Sequence, residues 1–509
     1  MRNDVRAVPT MAGRKDPSFE GVKMMCNTPP GCRYSFLGII VTIFHRSSRI
    51  QCALARGPRS QPPTVPLHNP KTASPETAII VGVITPQQSR WDVRDHLNEL
   101  EQLARTAGAT VTDRMTQSLT SPDPATFIGS GKVKELKRLA GNRGTDLVIF
   151  DDDLAPVQMR NIEKDVNSKL LDRSGLILDI FASRAQTAAA KTQVELAQLD
   201  YLRSRLTRRW THLSRQKGGI GTKGPGEKQI ETDRRLIDTR MAKLRDKLDK
   251  IDKQRTTQRK GRSTYTTVSL VGYTNAGKST LMNALADDAE VLAENQLFAT
   301  LDSTTRTATL DTNKEVLLSD TVGFIRKLPH RLIESFKSTL DEVRHSDALM
   351  HVVDVTHPRF EDHMQVVRDT LRGLEAHDKP TLMVFNKVDA LDDRNLLRAL
   401  RREYPDAAFV SALRGIGIED LKKDLLALIE RDYVERVAYV PVTEPKAIAR
   451  IHDLADVISE EYAYADGDSG PQAVARVEYR AAQRNDERIL RMIAPFEDVR
   501  PSGDGAVSS

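Results

Sequence analysis

Thr267-Val-Ser-Leu-Val-Gly-Tyr-Thr-Asn-Ala-Gly-Lys-Ser-Thr-Leu-Met-Asn-Ala-Leu285 is the stretch on which the reading of this chain turns. Its first five residues form a short apolar run that predicts a buried strand, and from Thr280 onward the apolar residues take helical spacing. Between them lies a complete phosphate loop, Gly272, Tyr273, Thr274, Asn275, Ala276, Gly277, Lys278 and Ser279. Gly272 and Gly277 let the backbone curl with its N–H groups toward anionic oxygens, and the following helix aims its positive end at the same place. Lys278 is then placed to reach the β- and γ-phosphates, and the Ser279 hydroxyl to ligate Mg²⁺. A Gly-containing strand-to-helix turn without a ligand is the bland alternative, and the full spacing in this context argues against it.

Four further segments follow in order. Asn386, Lys387, Val388 and Asp389 come directly after the strand-like Thr381-Leu-Met-Val-Phe385, at the carboxyl end of a parallel sheet. A carboxylate there can accept from N1–H and the 2-amino group of guanine together, a donor pair that adenine lacks, so the base predicted is guanine. Asp320, Thr321, Val322 and Gly323 end another strand; Asp320 is placed to hold the magnesium through water, and the Gly323 N–H to sense a γ-phosphate. Phe298, Ala299, Thr300, Leu301 and Asp302 lie in a connection that offers a second hydroxyl ligand, Thr300, with Thr304, Thr305 and Thr307 as competitors. Ser411, Ala412 and Leu413 follow a last strand, where backbone N–H groups reach the guanine carbonyl.

Order, spacing and the alternation of strands and helices resemble a Ras-like GTPase domain, here residues 263–432. One position departs from that pattern. Phe324 stands where Ras-like signalling proteins carry glutamine, and a phenyl ring can neither orient nor deprotonate water. No catalytic side chain is therefore assigned, and slow intrinsic hydrolysis is expected until a partner or an ion completes the site. Asn275 stands where some related GTPases help bind K⁺; the alternative is an Asn chosen for loop geometry.

With 509 residues the chain is too long for one core. Its net charge is +6, but the charge is concentrated. Residues 202–262 hold 20 Lys and Arg against 7 Asp and Glu, and residues 1–75 hold 11 against 3, so the remainder is acidic. Two basic regions on an acidic body point to a polyanionic partner, with a solvated helix face as the plain alternative. Cys26, Cys32 and Cys52 all precede the first segment that reads as folded, which fits a reducing compartment and a cytoplasmic location. The apolar run Phe36–Phe44 is too short to span a membrane, so no stable insertion is expected. Residues 1–76 read as disorder, a presequence or translation upstream of the true start.

Residues 77–184 predict a small α/β domain with a parallel sheet: strands at 78–84 and 146–150, helices at 91–107 and 156–166. Gly129-Ser-Gly-Lys132 resembles a phosphate turn but lacks the spacing, so it reads as a helix start, with ATP binding there as the rival reading. Residues 185–262 predict an antiparallel helical hairpin. Leu196, Leu199, Leu202, Leu206 and Leu213 line one helix; Ile237, Met241, Leu244, Leu248 and Ile251 give the other a coiled-coil seam. Five glycines fall within residues 218–227, flanked by Arg208, Arg209, Arg215, Lys217, Lys223 and Lys228, a tip able to approach phosphates or bases closely. Trp210 either packs in the hairpin or stacks on a base. Residues 433–496 read as a small α/β appendage and 497–509 as a disordered tail.

The tip Gly218-Gly-Ile-Gly-Thr-Lys-Gly-Pro-Gly-Glu-Lys-Gln-Ile-Glu-Thr-Asp-Arg-Arg235 and the three GTPase motifs together resemble the HflX family of ribosome-associated GTPases, over residues 77–493. The family pattern differs at Ser303, where proline is usual, and at Lys228, where threonine is common. The resemblance implies that Ser279 and Thr300 ligate Mg²⁺, that the tip contacts rRNA in the peptidyl-transferase region of the large subunit, and that GTP is hydrolysed to GDP on ribosomal stimulation. It also implies dissociation of stalled or idle ribosomes under stress by a monomeric factor. Competing readings are a large-subunit assembly GTPase, an ATP-using RNA-remodelling enzyme and a membrane-linked signalling GTPase anchored at Phe36–Phe44.

Overall fold

The computed structural model describes residues 75–206, 225–261, 265–286, 297–311, 314–327, 337–391, 394–467 and 470–499. The readings placed on residues 1–74 and on 207–224 lie outside them.

Strand β1 (Thr77–Ile84) is buried along six consecutive residues, as a strand covered on both faces must be. Its alternate residues feed two apolar clusters, Ala78 and Ile80 on one side, Ile79, Val81 and Val83 on the other. Around it β2 (Thr110–Ser118), β3 (Leu147–Phe150) and β4 (Lys169–Asp172) complete a sheet of order β2-β1-β3-β4, parallel throughout. Helix α1 (Arg90–Thr106) opens on a Ser89/Asp92 capping box and buries Leu97, Leu100 and Leu103, the stripe its periodicity predicts. Helix α2 (Ser130–Arg143) starts at Gly129 as N-cap, and Lys132 Nζ bonds Glu135 at 3.1 Å, so this segment is a helix start. Helix α3 (Pro156–Val166) has proline at its first position, and α4 (Arg173–Arg184) is buried from Arg173 to Phe181.

Helices α5 (Ala188–Leu206) and α6 (Pro225–Gly261) form the hairpin arms. Leu196 packs with Met241 and Leu244, flanked by Leu199, Ile237 and Leu248. The pairs Glu195–Arg240 and Arg203–Asp238 lie along the same seam.

The third unit is a six-stranded sheet of order β10-β9-β8-β5-β7-β6, made of β5 (Thr266–Gly272), β6 (Thr304–Asp311), β7 (Lys314–Asp320), β8 (Ala348–Asp354), β9 (Thr381–Asn386) and β10 (Ala408–Phe409). Only β6, at the edge, runs antiparallel to its neighbour. Helices α7 (Lys278–Leu285), α8 (Lys337–His345), α9 (Phe360–Gly373), α10 (Arg394–Glu403) and α11 (Ile418–Glu430) accompany it. The last unit is an antiparallel sheet β11-β13-β12 (Tyr433–Pro441, Gly470–Ala482, Asp456–Gly467) carrying α12 (Pro445–Leu454) and α13 (Gln483–Ile493) on a core of Val440, Ile451, Val477, Tyr479 and Ile489. A 3₁₀ turn, Ala494–Val499, extends order past residue 496, because Phe496 packs against that core.

Candidate functional site

A cavity of about 390 Å³ opens at the carboxyl end of β5 and β9, where doubly wound sheets bind ligands. Thr274, Asn275, Gly277, Lys278, Ser279, Thr280, Phe298, Ala299, Thr300, Thr321, Gly323, Asn386, Lys387, Asp389, Ala390, Ser411, Ala412 and Leu413 line it. Segments separated by more than a hundred residues in the chain thus meet around one space.

The phosphate loop is held from two sides. Thr274 N donates to Phe324 O at 2.7 Å and Phe324 N to Gly272 O at 3.1 Å, so the chain after Asp320 is zipped onto the loop. This close approach requires glycine at 323, since a Cβ there would sit 2.7 Å from Thr274 Cα. Asn386 braces the other side: its Nδ2 donates to Ala276 O at 2.9 Å, while its Oδ1 accepts from Lys387 N at 2.8 Å and Ala412 N at 3.0 Å. Lys387 Nζ reaches Asn275 O at 2.9 Å and Asp354 at 2.6 Å. Asn386 and Lys387 therefore fasten the loops together, while Asp389 lines the cavity.

Lys278 is buried, with Nζ donating to Gly272 O at 3.2 Å and Tyr273 O at 3.1 Å. Burial pushes its pKa down to about 8, against the pull of Asp320 in the opposite direction. The Ser279 hydroxyl lies 2.8 Å from the Thr300 hydroxyl, and Asp320 Oδ2 accepts from both, at 2.6 and 2.7 Å. Asp320 Oδ1 is buried and has no hydrogen-bond partner. Two hydroxyls and an under-satisfied carboxylate are the oxygen donors a hard divalent cation prefers, so these residues fit Mg²⁺. The competing hydroxyls sit elsewhere: Thr304, Thr305 and Thr307 are on strand β6, and Thr305 pairs with Ser319 at 3.2 Å.

Asp389 accepts from Arg414 Nε at 3.0 Å. Its carboxyl is held below the usual range, first by the Ser411 hydroxyl and then, against burial, by Arg414. The Phe324 ring is 2% exposed and lies in a core with Val271, Leu349 and Val367. It is unsuited to activating water by chemistry and also by direction.

Several residues named from sequence turn away from the cavity. The Tyr273 hydroxyl donates to Glu99 at 2.5 Å and accepts from Arg326 N at 2.9 Å, while its ring stacks on His363. Leu301 and Val322 pack into the apolar cluster of the N-terminal domain, together with Leu297, Phe298 and Ile325. Asp302 bonds the start of α5. Gly272 contributes its carbonyl to Lys278, Ala276 belongs to the core under the loop, and Val388 packs beside Phe385. Sequence reasoning missed Thr280 and Ala390 in the lining and Arg414 beside Asp389; Thr280 was within reach, as the residue that continues the loop into α7. Arg208, Arg209, Arg215, Lys217 and Lys223 lie outside the described residues, and Lys228 is placed only as part of α6. Among the described residues no cluster of His, Cys, Asp and Glu forms a metal site of its own, and no helix is long and apolar enough to cross a membrane.

GTPase HflX of Flavobacterium psychrophilum is 45% identical over 412 residues, spanning 77% of this chain and 98% of that protein. GTPase HflX of Escherichia coli is 42% identical over 395 residues, spanning 77% and 92%. The chain belongs to the HflX GTPase family. Three family models match in succession: "GTP-binding GTPase N-terminal" at residues 94–182, "GTP-binding GTPase Middle Region" at 184–262 and "50S ribosome-binding GTPase" at 267–387. A solved GTP-binding protein of Sulfolobus solfataricus in complex with GDP is 24% identical, with a TM-score of 0.38, over 70% of this chain and 99% of that one. As an HflX GTPase the chain binds and hydrolyses GTP.

Proposed function

We propose that this chain is a GTP-driven factor of the large ribosomal subunit that separates stalled or idle ribosomes under stress. The observation that carries the reading is the pairing of a GTPase site whose Phe324, standing where related proteins carry a water-orienting glutamine, is buried in the core, with a basic hairpin, in a chain whose residues 267–387 match a 50S ribosome-binding GTPase. A clock that runs slowly alone needs an external trigger, and 20 Lys and Arg in residues 202–262 suit an RNA surface.

At the site, Lys278 and the loop N–H groups bind the phosphates, and Ser279 and Thr300 hold Mg²⁺, with Asp320 behind them. Held there, a divalent cation would supply charge neutralisation for the phosphates. Asp389 selects guanine over adenine, with Ser411 and Ala412 beside it. Asn275, lining the cavity, is assigned to K⁺, a monovalent charge in place of an arginine finger. The tip, with Arg208, Arg209, Arg215, Lys217, Lys223 and Lys228, contacts rRNA. The GTP-bound form favours the large subunit and displaces its contacts to the small one, and hydrolysis releases a monomeric factor into the cytoplasm.

Two measurements test this. GTP turnover with and without purified large subunits should show stimulation that disappears when residues 218–227 are deleted, while basal turnover persists; deletion that leaves stimulation intact overturns the role of the tip. Whole ribosomes incubated with the protein and a non-hydrolysable GTP analogue should sediment as subunits. Intact ribosomes in that experiment favour the assembly reading instead.

A further inference from the structure

The segment from Leu297 to Asp302 has two faces. On one, Phe298, Ala299 and Thr300 line the GTP cavity, and Phe298 N donates to Thr274 Oγ1 at 3.0 Å. On the other, Leu297 and Leu301 are 4% and 2% exposed within the N-terminal domain's core, and the Phe298 ring meets Phe181 edge-on at 4.8 Å. Asp302 completes this second face. Its Oδ2 accepts from Gln186 N and Thr187 N, each at 3.0 Å, and its Oδ1 accepts from the Thr187 hydroxyl. Thr187 is itself the cap of α5, its Oγ1 accepting from Ala190 N at 3.1 Å. A carboxylate at a helix N-terminus is favourably placed against the helix dipole. Here the carboxylate comes from the GTPase domain and the helix is the first arm of the hairpin.

We propose that Asp302 is a positioning residue that fastens Thr300 to the foot of α5, so that nucleotide state and the anchoring of the basic hairpin are set by one shared element. The inference rests on Thr300 as a Mg²⁺ ligand and deepens that reading by naming how the site is regulated. Only Leu301 separates Thr300 from Asp302, so the chain between them cannot move at one end without shifting the other. When Thr300 sits against Ser279 and Asp320, the Asp302 carboxylate meets Gln186 and Thr187. When Thr300 leaves, that outer contact is lost and the start of α5 is capped by Thr187 alone. Linkage makes the effect reciprocal: a surface that draws the hairpin into the capped position strengthens GTP binding by the factor with which GTP strengthens the cap. The far end of α5 is tied independently, Tyr201 to Asp172 at 2.7 Å and Arg205 to the same carboxylate, so movement at its start pivots about a fixed point.

The test uses the full chain and a fluorescent GTP or GDP analogue, titrated with and without Mg²⁺, with amide exchange read at residues 188–192. Asp302→Ala should weaken Mg²⁺-dependent GTP binding by about tenfold, within the usual range of coupling between sites, while GDP affinity changes by less than about twofold. Wild-type exchange at the start of α5 should slow on GTP binding, and in Asp302→Ala it should become indifferent to nucleotide. Thr187→Ala, which leaves the GTPase domain untouched, should shift GTP binding in the same direction by about threefold and add little to Asp302→Ala, as coupled neighbours do. Thr300→Ala separates the two failures. If it abolishes Mg²⁺-dependent GTP binding while Asp302→Ala and Thr187→Ala do not alter it, the cap proposal is overturned and the ligand assignment stands. If Thr300→Ala also leaves it unaltered, the ligand assignment falls, and the cap proposal with it. Should Asp302→Ala fail to fold, Thr187→Ala decides alone, and unchanged affinity with unchanged exchange overturns the proposal.

Discussion

Lys278 carries the sharpest residue-scale consequence. Burial, opposed by Asp320, holds its pKa at about 8, so near neutral pH it is charged and above about 8 the free protein loses that proton. A triphosphate drawn to the ammonium raises the pKa again, so binding takes up a proton in that range. GTP affinity, followed by fluorescence titration from pH 7 to 9.5, should therefore fall beyond pH 8 toward a limit of about tenfold per unit, and a flat profile would contradict the charge state assigned here. Residue roles were legible where chemistry allows one solution. A buried Lys after Gly277 has phosphates as its one obvious partner. Thr300 was not separable from Thr304, Thr305 and Thr307 by spacing, because the decision depends on where the chain ceases to be a loop and becomes β6. Asn386, read in one motif with Asp389, makes its three hydrogen bonds to the backbone of the loops it joins. A single tetrapeptide cannot reveal partners that arrive from the other end of a domain.

At the scale of elements, periodic contrast decided what could be read. The 4-3-4 rhythm of Ile237, Met241, Leu244 and Leu248 announced a two-helix seam, and α1 announced its inward stripe in the same way. Helix α4 gave no such signal: apolar and buried almost all round, from Arg173 to Phe181, it has no polar face to set a period. Short β4 and the antiparallel edge strand β6 were likewise silent, one for want of length and the other because its polar threonines resemble a loop. The seam itself can be weighed. Met241 is 2% exposed between the arms, and Met241→Ala should cost about 2–3 kcal/mol of local stability, seen as faster amide exchange along α6 with the GTPase core unaffected. Equal acceleration in β5 and β8 would mean that hairpin and GTPase domain unfold as one unit.

At the scale of the whole molecule, the domains read as separate modules in sequence are joined by more than linkers. Arg326 reaches Asp95 at 3.3 Å and Lys327 reaches Asp151 and Asp152 at 2.5 and 2.6 Å, while the Arg173 guanidinium bonds both Asp151 and Glu99, the same Glu99 that binds Tyr273. No local pattern could have shown this, since partners lie up to 231 residues apart. Beneath the charges, Leu297, Phe298, Leu301 and Ile325 of the GTPase domain complete the apolar core of the N-terminal domain. A fragment of residues 265–432 should consequently bind the dye ANS and self-associate on gel filtration, whereas residues 75–499 should do neither. A monodisperse, dye-silent fragment would show that these side chains find cover without the N-terminal domain.

That shared core also sets a schedule for biosynthesis. The half that receives Leu297, Phe298 and Leu301 is translated well before they are, so it emerges as a nascent domain with an open greasy slot. At ordinary elongation rates the slot stays uncovered for on the order of ten seconds, long enough for a chaperone at the exit tunnel to occupy it before the plug arrives.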